Sequence, residues 1–273
     1  MKFDLHNHSN YSDGLLTVAE LIDRASEKGL NGMALTDHDS IFGVDEAFLL
    51  AKKKNIFLLK GLELSTFYKG QTVHIVTLFK NNEPSKKFYD FSKEIVDTRI
   101  NRAKKMLKNI EEIFKVNIDY DFIFKNSKVV TRGNMLQCII HSNPGLDKEY
   151  ASSMVSDSSK AYIPASKLDT RDGLKLIKEN NGIAILAHPT LIKKEYHREI
   201  LSLGFDGIES RYPKNKENEE EYFRNLAKEY GLVNSAGSDF HGDFKHADIA
   251  TSYLNEEEFE EIMKLVRGEK NEN

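Results

Sequence analysis

Between residues 1 and 80 the spacing of apolar positions switches repeatedly from every second residue to every third or fourth, the signature of strands alternating with amphipathic helices. Residues 2–6 predict a short strand. Thr17, followed three residues later by Glu20, forms a capping box for a helix over 18–28, with Ala19, Leu21, Ile22 and Ala25 as its buried stripe. Gly29 closes that helix, and a strand beginning at Met33 stops at Thr36-Asp37-His38. A helix over 44–54 leads into an apolar run over 56–64 that closes on Glu63, and a further strand over 72–79 carries His74. Strand–helix–strand repetition at this pitch predicts parallel strands with helices outside.

The middle of the chain has a different texture. Residues 84–114 are charge-rich and predict one or two helices, with Lys104-Lys105 and Glu111-Glu112 on a solvated face. Residues 117–166 are less regular. Alternation resumes at Asp169, with a helix over 172–181, a buried strand over 182–187 ending at His188, and a helix over 194–203. A strand over 207–209, a helix over 217–230, a strand over 232–237 and a last helix over 256–266 follow. The division this suggests is a first barrel part (1–82), an insertion subdomain on the barrel rim (83–166), a second barrel part (167–268) and a charged tail (269–273).

Chemistry enters at the strand ends. Six of the nine histidines sit in short motifs: His6-Asn7-His8, Thr36-Asp37-His38, Val73-His74-Ile75, Ala187-His188-Pro189 and Asp239-Phe240-His241. His6 and His8, two apart on a strand, leave the same face, and Asp13-Gly14 adds a carboxylate in the turn that follows. Any one of these is an ordinary polar strand end. Their recurrence in order is not, because the strands of an α/β barrel converge with their C-terminal ends on one mouth. Neutral imidazole and carboxylate are also the donors that divalent metals take. The pattern predicts a polynuclear metal site, with no Ser-His-Asp or Cys-His arrangement and no phosphate-cradling glycine loop beside it.

Composition narrows the class without changing that picture. Hydrophobic residues at 40% and charged residues at 30% fit a soluble globular protein, and a formal charge of -4 argues against a bulk nucleic-acid-binding field. The single cysteine, Cys138, is expected as a small apolar helix residue; it excludes an internal disulfide and fits a reducing compartment. No apolar run approaches the ~20 residues that span a bilayer. Met1-Lys2 leads straight into a strand, so no signal peptide is expected and the expected location is cytoplasmic.

The His-x-His start, Ser12-Asp13-Gly14, Thr36-Asp37-His38-Asp39, His188-Pro189 and the run from Gly237 to Gly242 resemble the four motifs of the polymerase and histidinol phosphatase (PHP) superfamily, across roughly residues 1–80 and 165–250. Within it the chain is similar to the branch of PHP-domain phosphoesterases that includes 3',5'-nucleoside bisphosphate phosphatases. The resemblance implies an α/β fold, a distorted (β/α)7 barrel with a small, mostly helical insertion. It implies two or three divalent ions, with manganese, zinc, iron and magnesium as candidates. It assigns His6, His8, Glu63 and Asp239 to one ion, makes Glu63 a bridge to a second held by His74 and His188, and gives Asp13, His38 and His241 a third. Some relatives carry histidine where this chain has Asp13; a carboxylate is the harder ligand and tilts that ion toward manganese, magnesium or iron.

The implied reaction is hydrolysis of a phosphomonoester of a small nucleotide, a nucleoside 3',5'-bisphosphate or short oligoribonucleotide, by metal-activated water held at Glu63, Asp239 and His241. The alternatives are a histidinol-phosphate-type phosphatase and a non-catalytic metal-binding accessory domain. The expected partner is a small phosphorylated substrate, with no membrane and no stable nucleic-acid complex. Asp37 has two readings, orienting a ligand imidazole or capping a strand end. Arg132, in Thr131-Arg132-Gly133-Asn134, stands where the branch has Gly-Arg-Pro-His, implying a guanidinium contact to phosphate, with Asn134 as a second substrate contact. Arg211 is expected in a surface ion pair, and His141, His197 and His246 are expected to be structural or exposed.

Overall fold

Side-chain alternation along seven strands separates what faces the inside of a barrel from what faces its helices. The computed structural model describes residues 1–126, 129–164, 168–243 and 245–269. The strands β1 (Phe3–Asp4), β2 (Gly32–Leu35), β3 (Phe57–Tyr68), β4 (Gln71–Phe79), β5 (Gly182–Leu186), β6 (Gly207–Arg211) and β7 (Val233–Ala236) pair in that order. The Leu5 amide donates to the Ala236 carbonyl at 3.0 Å, and a bridge joins Asn7 to Phe240. The last strand thus returns to the first, and the sheet curls into a nearly closed barrel.

Around it run α1 (Val18–Glu27), α2 (Val44–Lys53), α3 (Lys86–Phe114), α4 (Tyr120–Asn126), α5 (Arg132–Ser142), α6 (Lys148–Met154), α7 (Thr170–Glu179), α8 (His197–Leu201), α9 (Glu219–Tyr230) and α10 (Glu256–Arg267). α1 starts with the expected Thr17/Glu20 capping box, but its buried stripe takes Val18 in place of Ala19. Between β4 and β5, the second half of α3 packs with α5 and α6 around Met106, Leu107, Ile110, Met135, Ile139 and Met154, a cluster separate from those of the barrel. The first half of α3 lies on the barrel itself. There the Ser92 hydroxyl donates to the Asp39 carbonyl at 2.7 Å and accepts from the Ile41 amide at 3.2 Å.

The expectation of parallel strands fails at β4, which is antiparallel to both β3 and β5. The cause is local. Lys69 (φ 44°) and Gly70 (φ 85°) make a two-residue hairpin turn, so the chain reverses without a crossover helix. The hairpin also extends β3 past Glu63 to Tyr68, which makes Glu63 a mid-strand residue and not the strand's end. The helix expected over 194–203 is a short 3-10 turn followed by the five-residue α8.

Phe3, Leu5, Ala34, Leu59, Val76, Leu78, Ile183 and Ile185 fill the inside of the barrel, and Phe259 and Ile262 of α10 plug its far end. Two-residue alternation carries the same inward face to the mouth, where His38 follows Ala34, Glu63 follows Leu59, His74 precedes Val76 and Glu209 follows Gly207. The apolar floor and the polar mouth are two ends of one row of positions. The expected boundary at 166/167 and residues 270–273 of the expected tail lie outside the described residues. Among the described residues no helix is long and apolar enough to cross a membrane.

Candidate metal centre

The structure brings together all nine residues that the resemblance assigns as ligands. Beyond β1 the chain passes through His6 and His8 directly against the extension of β7, an approach that requires Gly237, since a Cβ there would lie 2.2 Å from the His6 Cβ and 2.7 Å from its amide nitrogen. His188 (φ 27°) and Asp239 (φ 52°) reach the mouth on left-handed backbone, a strain of order 1–3 kcal/mol that only a well-determined surrounding sustains. Glu63, fully buried, is the common neighbour. Its Oε2 lies 3.4 Å from His6 Nε2, 3.3 Å from His8 Nε2 and 2.9 Å from His38 Nδ1. Its Oε1 lies 2.9 Å from His74 Nδ1 and 2.8 Å from His188 Nε2. Asp239 Oδ1 adds a second carboxylate 3.2 Å from His8 Nε2, and Asp13 Oδ1 lies 3.3 Å from His241 Nε2 and 3.8 Å from His38 Nε2.

Six buried atoms of these residues have no hydrogen-bond partner: His6 Nε2, His8 Nε2, Asp13 Oδ1, His38 Nδ1, Glu63 Oε2 and His188 Nδ1. Buried polar atoms are otherwise almost always paired, so this concentration at one place is what a set of metal ligands would present. In each of the sets His6/His8/Glu63/Asp239, His8/Asp13/His38/His241 and His38/Glu63/His74, the ligand atoms lie within 4.8 Å of one another. The donors fit divalent ions. His8 and His38, like Glu63, each belong to two sets, so the groups of ligands overlap more than an assignment with Glu63 as its one bridge allowed.

Charges within the cluster oppose one another. Burial works to raise the Glu63 carboxyl, but the charges of His38, His74 and His6 hold it well below the ordinary carboxylate range. Asp239 is depressed in the same way, by His6 and its contact with His8. Burial pushes His8 down to about 3. It works against His38 and His241 too, yet Glu63 and Asp13 lift His38 to about 10, and Asp13 lifts His241 to about 8. A protonated ring nitrogen cannot hold a metal, so cations must displace those protons. Both rings lose their proton more readily as pH rises, so affinity should increase with pH, roughly tenfold per pH unit for each proton displaced, with the His241 contribution ending near pH 8 and the His38 contribution continuing to about 10. Manganese titrations at pH 6, 7 and 8, with the free ion followed by electron paramagnetic resonance, check this; an affinity independent of pH contradicts it.

Further residues aim the ligands. Glu209 Oε1 lies 3.1 Å from His6 Nδ1 while its Oε2 accepts from the His188 amide at 2.7 Å. Tyr212 donates to Asp239 Oδ2 at 2.9 Å, leaving Oδ1 toward His6 and His8. Asp4, buried, accepts from the Ser238 and Ala250 amides at 3.0 and 2.9 Å and ties the end of β1 to the loops after β7. Sequence reasoning missed all three, although a glutamate inside the buried run Gly207-Ile208-Glu209 was a signal available to it. Because such supports behind ligating histidines are worth about 10–100-fold, Glu209→Gln should raise the manganese concentration needed for half-maximal activity by about that factor. An unchanged metal requirement contradicts the role.

Among the described residues Asp37 bonds neither His38 nor any other ring. It accepts from the Ser9 amide at 2.8 Å and from the Ser12 hydroxyl at 2.6 Å, and Ser12 Oγ stands 3.4 Å from His8 Nδ1, so Asp37 acts on the loop behind His8. Burial raises its carboxyl to about 6. His246 is closer to the centre than expected, stacked on His241 with ring centroids 4.0 Å apart and held by Asp243 at 2.8 Å. His197 is buried and bonds two carbonyls, and His141 stacks on Phe122. Arg211 pairs with Glu220 and Glu258, and Cys138 is buried in α5. Neither expected substrate contact pairs with a member of the cluster among the described residues. Asn134 spends its side-chain oxygen on the capping box with Thr131 at the start of α5, and Arg132 pairs with Asp157 at 2.7 Å.

The family described as PHP domain matches residues 4–163. A 5'-3' exoribonuclease of Haemophilus influenzae is 31% identical over 88% of this chain and 90% of that protein. A phosphoribosyl 1,2-cyclic phosphate 1,2-diphosphodiesterase of Eggerthella lenta is 25% identical over 88% of this chain and 94% of that protein. A 3',5'-nucleoside bisphosphate phosphatase of Chromobacterium violaceum is 30% identical over 87% and 86% respectively. A solved structure from Bifidobacterium adolescentis, 23% identical, superposes with a TM-score of 0.83 over 96% of both chains, a likeness of fold.

Proposed function

The chain belongs to the PHP-domain family and is a metal-dependent phosphoesterase, a hydrolase of phosphoric ester bonds, and from that premise we propose that it acts on a small nucleotide, a nucleoside 3',5'-bisphosphate or a short oligoribonucleotide. The observation that carries the metal chemistry is the concentration of six unpartnered buried atoms in the side chains of His6, His8, Asp13, His38, Glu63 and His188. The nucleotide rests on the relatives, which by their names act on RNA, a ribosyl cyclic phosphate and a nucleoside bisphosphate, each a phosphorylated ribose.

In this reading His6, His8, Glu63 and Asp239 hold one divalent ion, Glu63 with His74 and His188 a second, and Asp13, His38 and His241 a third. Ions in these places supply Lewis acidity toward phosphoryl oxygens and a nucleophile from water near neutral pH. The chain's own part is orientation. Glu209 and Ser12 occupy the Nδ1 atoms of His6 and His8, so both rings present Nε2 to the mouth. His241 Nδ1 is held by the Asp239 carbonyl at 2.8 Å, which likewise frees its Nε2. Tyr212 fixes the Asp239 carboxylate, and the left-handed backbone at Asp239 keeps that side chain turned inward.

Phosphate release from adenosine 3',5'-bisphosphate, a 5'-phosphorylated tetraribonucleotide, a ribose 1,2-cyclic phosphate and histidinol phosphate, with manganese added, tests the substrate class. Either nucleotide should exceed histidinol phosphate by at least about 100-fold in kcat/KM, the discrimination expected of a site built to pair a group that the competitor lacks. Release from histidinol phosphate alone overturns the nucleotide.

A further inference from the structure

His246 is claimed by none of the four motifs, yet it stands beside the metal centre. Its ring stacks on that of His241 with centroids 4.0 Å apart and 21° between the planes, and His241 stacks in turn on His8 at 4.1 Å. The loop turns around Asp243, whose Oδ1 lies 2.8 Å from His246 Nδ1 and accepts from the Lys245 and His246 amides at 2.9 Å each. A carboxylate on one ring nitrogen is how proteins orient a histidine whose other nitrogen ligates a metal. With Nδ1 so engaged, Nε2 is the nitrogen left to offer.

The place it reaches has a ligand set of its own. A ring nitrogen of His246, one of His241 and a carboxylate oxygen of Asp239 lie within 4.8 Å of one another. His241 also belongs to the set with His8, Asp13 and His38. Its Nδ1 is held by the Asp239 carbonyl at 2.8 Å, and the one nitrogen that remains can serve only one ion, so the two sets meet at a single cation. Asp13 Oδ1, buried without a hydrogen-bond partner and 3.3 Å from His241 Nε2, marks the same point. We propose that His246, oriented by Asp243, is a tenth ligand that joins His241 at the third ion. This rests on the third-ion assignment above and deepens it. Asp13 makes that ion's surroundings harder; a further imidazole restores nitrogen to them and favours iron or zinc over magnesium.

The test is manganese titration of chelator-stripped protein, the free ion followed by electron paramagnetic resonance, in the wild type, His246→Phe, His246→Ala and Asp243→Asn. His246→Phe keeps a ring against His241 and removes the nitrogens, so it separates ligation from stacking. In His246→Phe and His246→Ala one equivalent should bind at least about tenfold more weakly, and the others as in the wild type. Asp243→Asn should weaken that same equivalent by about 10–100-fold, the worth of a carboxylate behind a ligating histidine. Wild-type affinity in His246→Phe reduces the ring to a stacking role and overturns the ligand. An equal weakening of every equivalent also overturns it, because the mouth as a whole is then distorted. Phosphate release from nucleotides is read separately. A protein that shows the His246-dependent equivalent and hydrolyses no nucleotide sinks the nucleotide reading and leaves the ligand standing.

Discussion

Glu63→Gln should lower kcat/KM for phosphate release at least about 10³-fold, the equivalent of roughly 4 kcal/mol of transition-state stabilisation. The substitution keeps the side chain's shape and removes its charge. Oε2 faces three imidazoles at 2.9–3.4 Å and Oε1 faces two at 2.8–2.9 Å, and no other side chain of the centre meets so many. An amide would turn two N–H donors toward ring nitrogens and could not bridge two cations. Metal content should fall with activity. The barrel should remain folded, because the sheet contacts of Glu63, to Val76 and to the chain at Asp37 and Asp39, are made by its backbone and survive the substitution; far-ultraviolet circular dichroism separates loss of ligand from loss of fold. Near-normal turnover by Glu63→Gln would remove the carboxylate from the centre of the chemistry.

Gly237→Ala should damage both stability and the centre, through a single methyl group. Its Cβ would lie 2.2 Å from the His6 Cβ, 2.7 Å from the His6 nitrogen and 2.8 Å from Glu209 Oε1. The nearest obstacles are backbone and a Cβ, which cannot swing aside as a side-chain tip can. The strand carrying Ser238-Asp239 must therefore move away from β1, breaking the Asp4–Ser238 bonds and separating Asp239 from His6 and His8. Overpacking of this kind costs about 3 kcal/mol, and at roughly 2–4 °C per kcal/mol for a chain of this size Tm should fall by about 10 °C. Metal affinity should fall as well. Thermal melts with and without manganese measure both; an unchanged Tm would mean that the two strands are not in contact as described.

The ligands were legible in the sequence because each follows or interrupts a buried strand, and a barrel sends strand ends to one mouth. His38, His188 and Asp239 could be read without knowing which strands are neighbours. Glu63 was found for a partly mistaken reason. It reaches the mouth from mid-strand because β3 continues into a hairpin, and Lys69-Gly70 lacks the Asn-Gly or Asp-Gly pair that announces such a turn. The supports were hidden for a different reason. Glu209 and Asp4 act across more than two hundred residues of chain, on His6 and on Ser238 and Ala250, and no local periodicity encodes a pairing at that range. His246 reaches His241 through a loop bent around Asp243. Arg132 carried a motif-like signature yet faces Asp157.

The chemistry of this fold depends on cations in the barrel mouth, and their stoichiometry measures that most directly. Protein purified without chelator and analysed by plasma mass spectrometry should carry two to three equivalents of manganese, iron, zinc or magnesium per chain, falling by at least one equivalent in Glu63→Gln. A folded wild-type chain that holds well under one equivalent, and takes up none when manganese is supplied, would contradict the account.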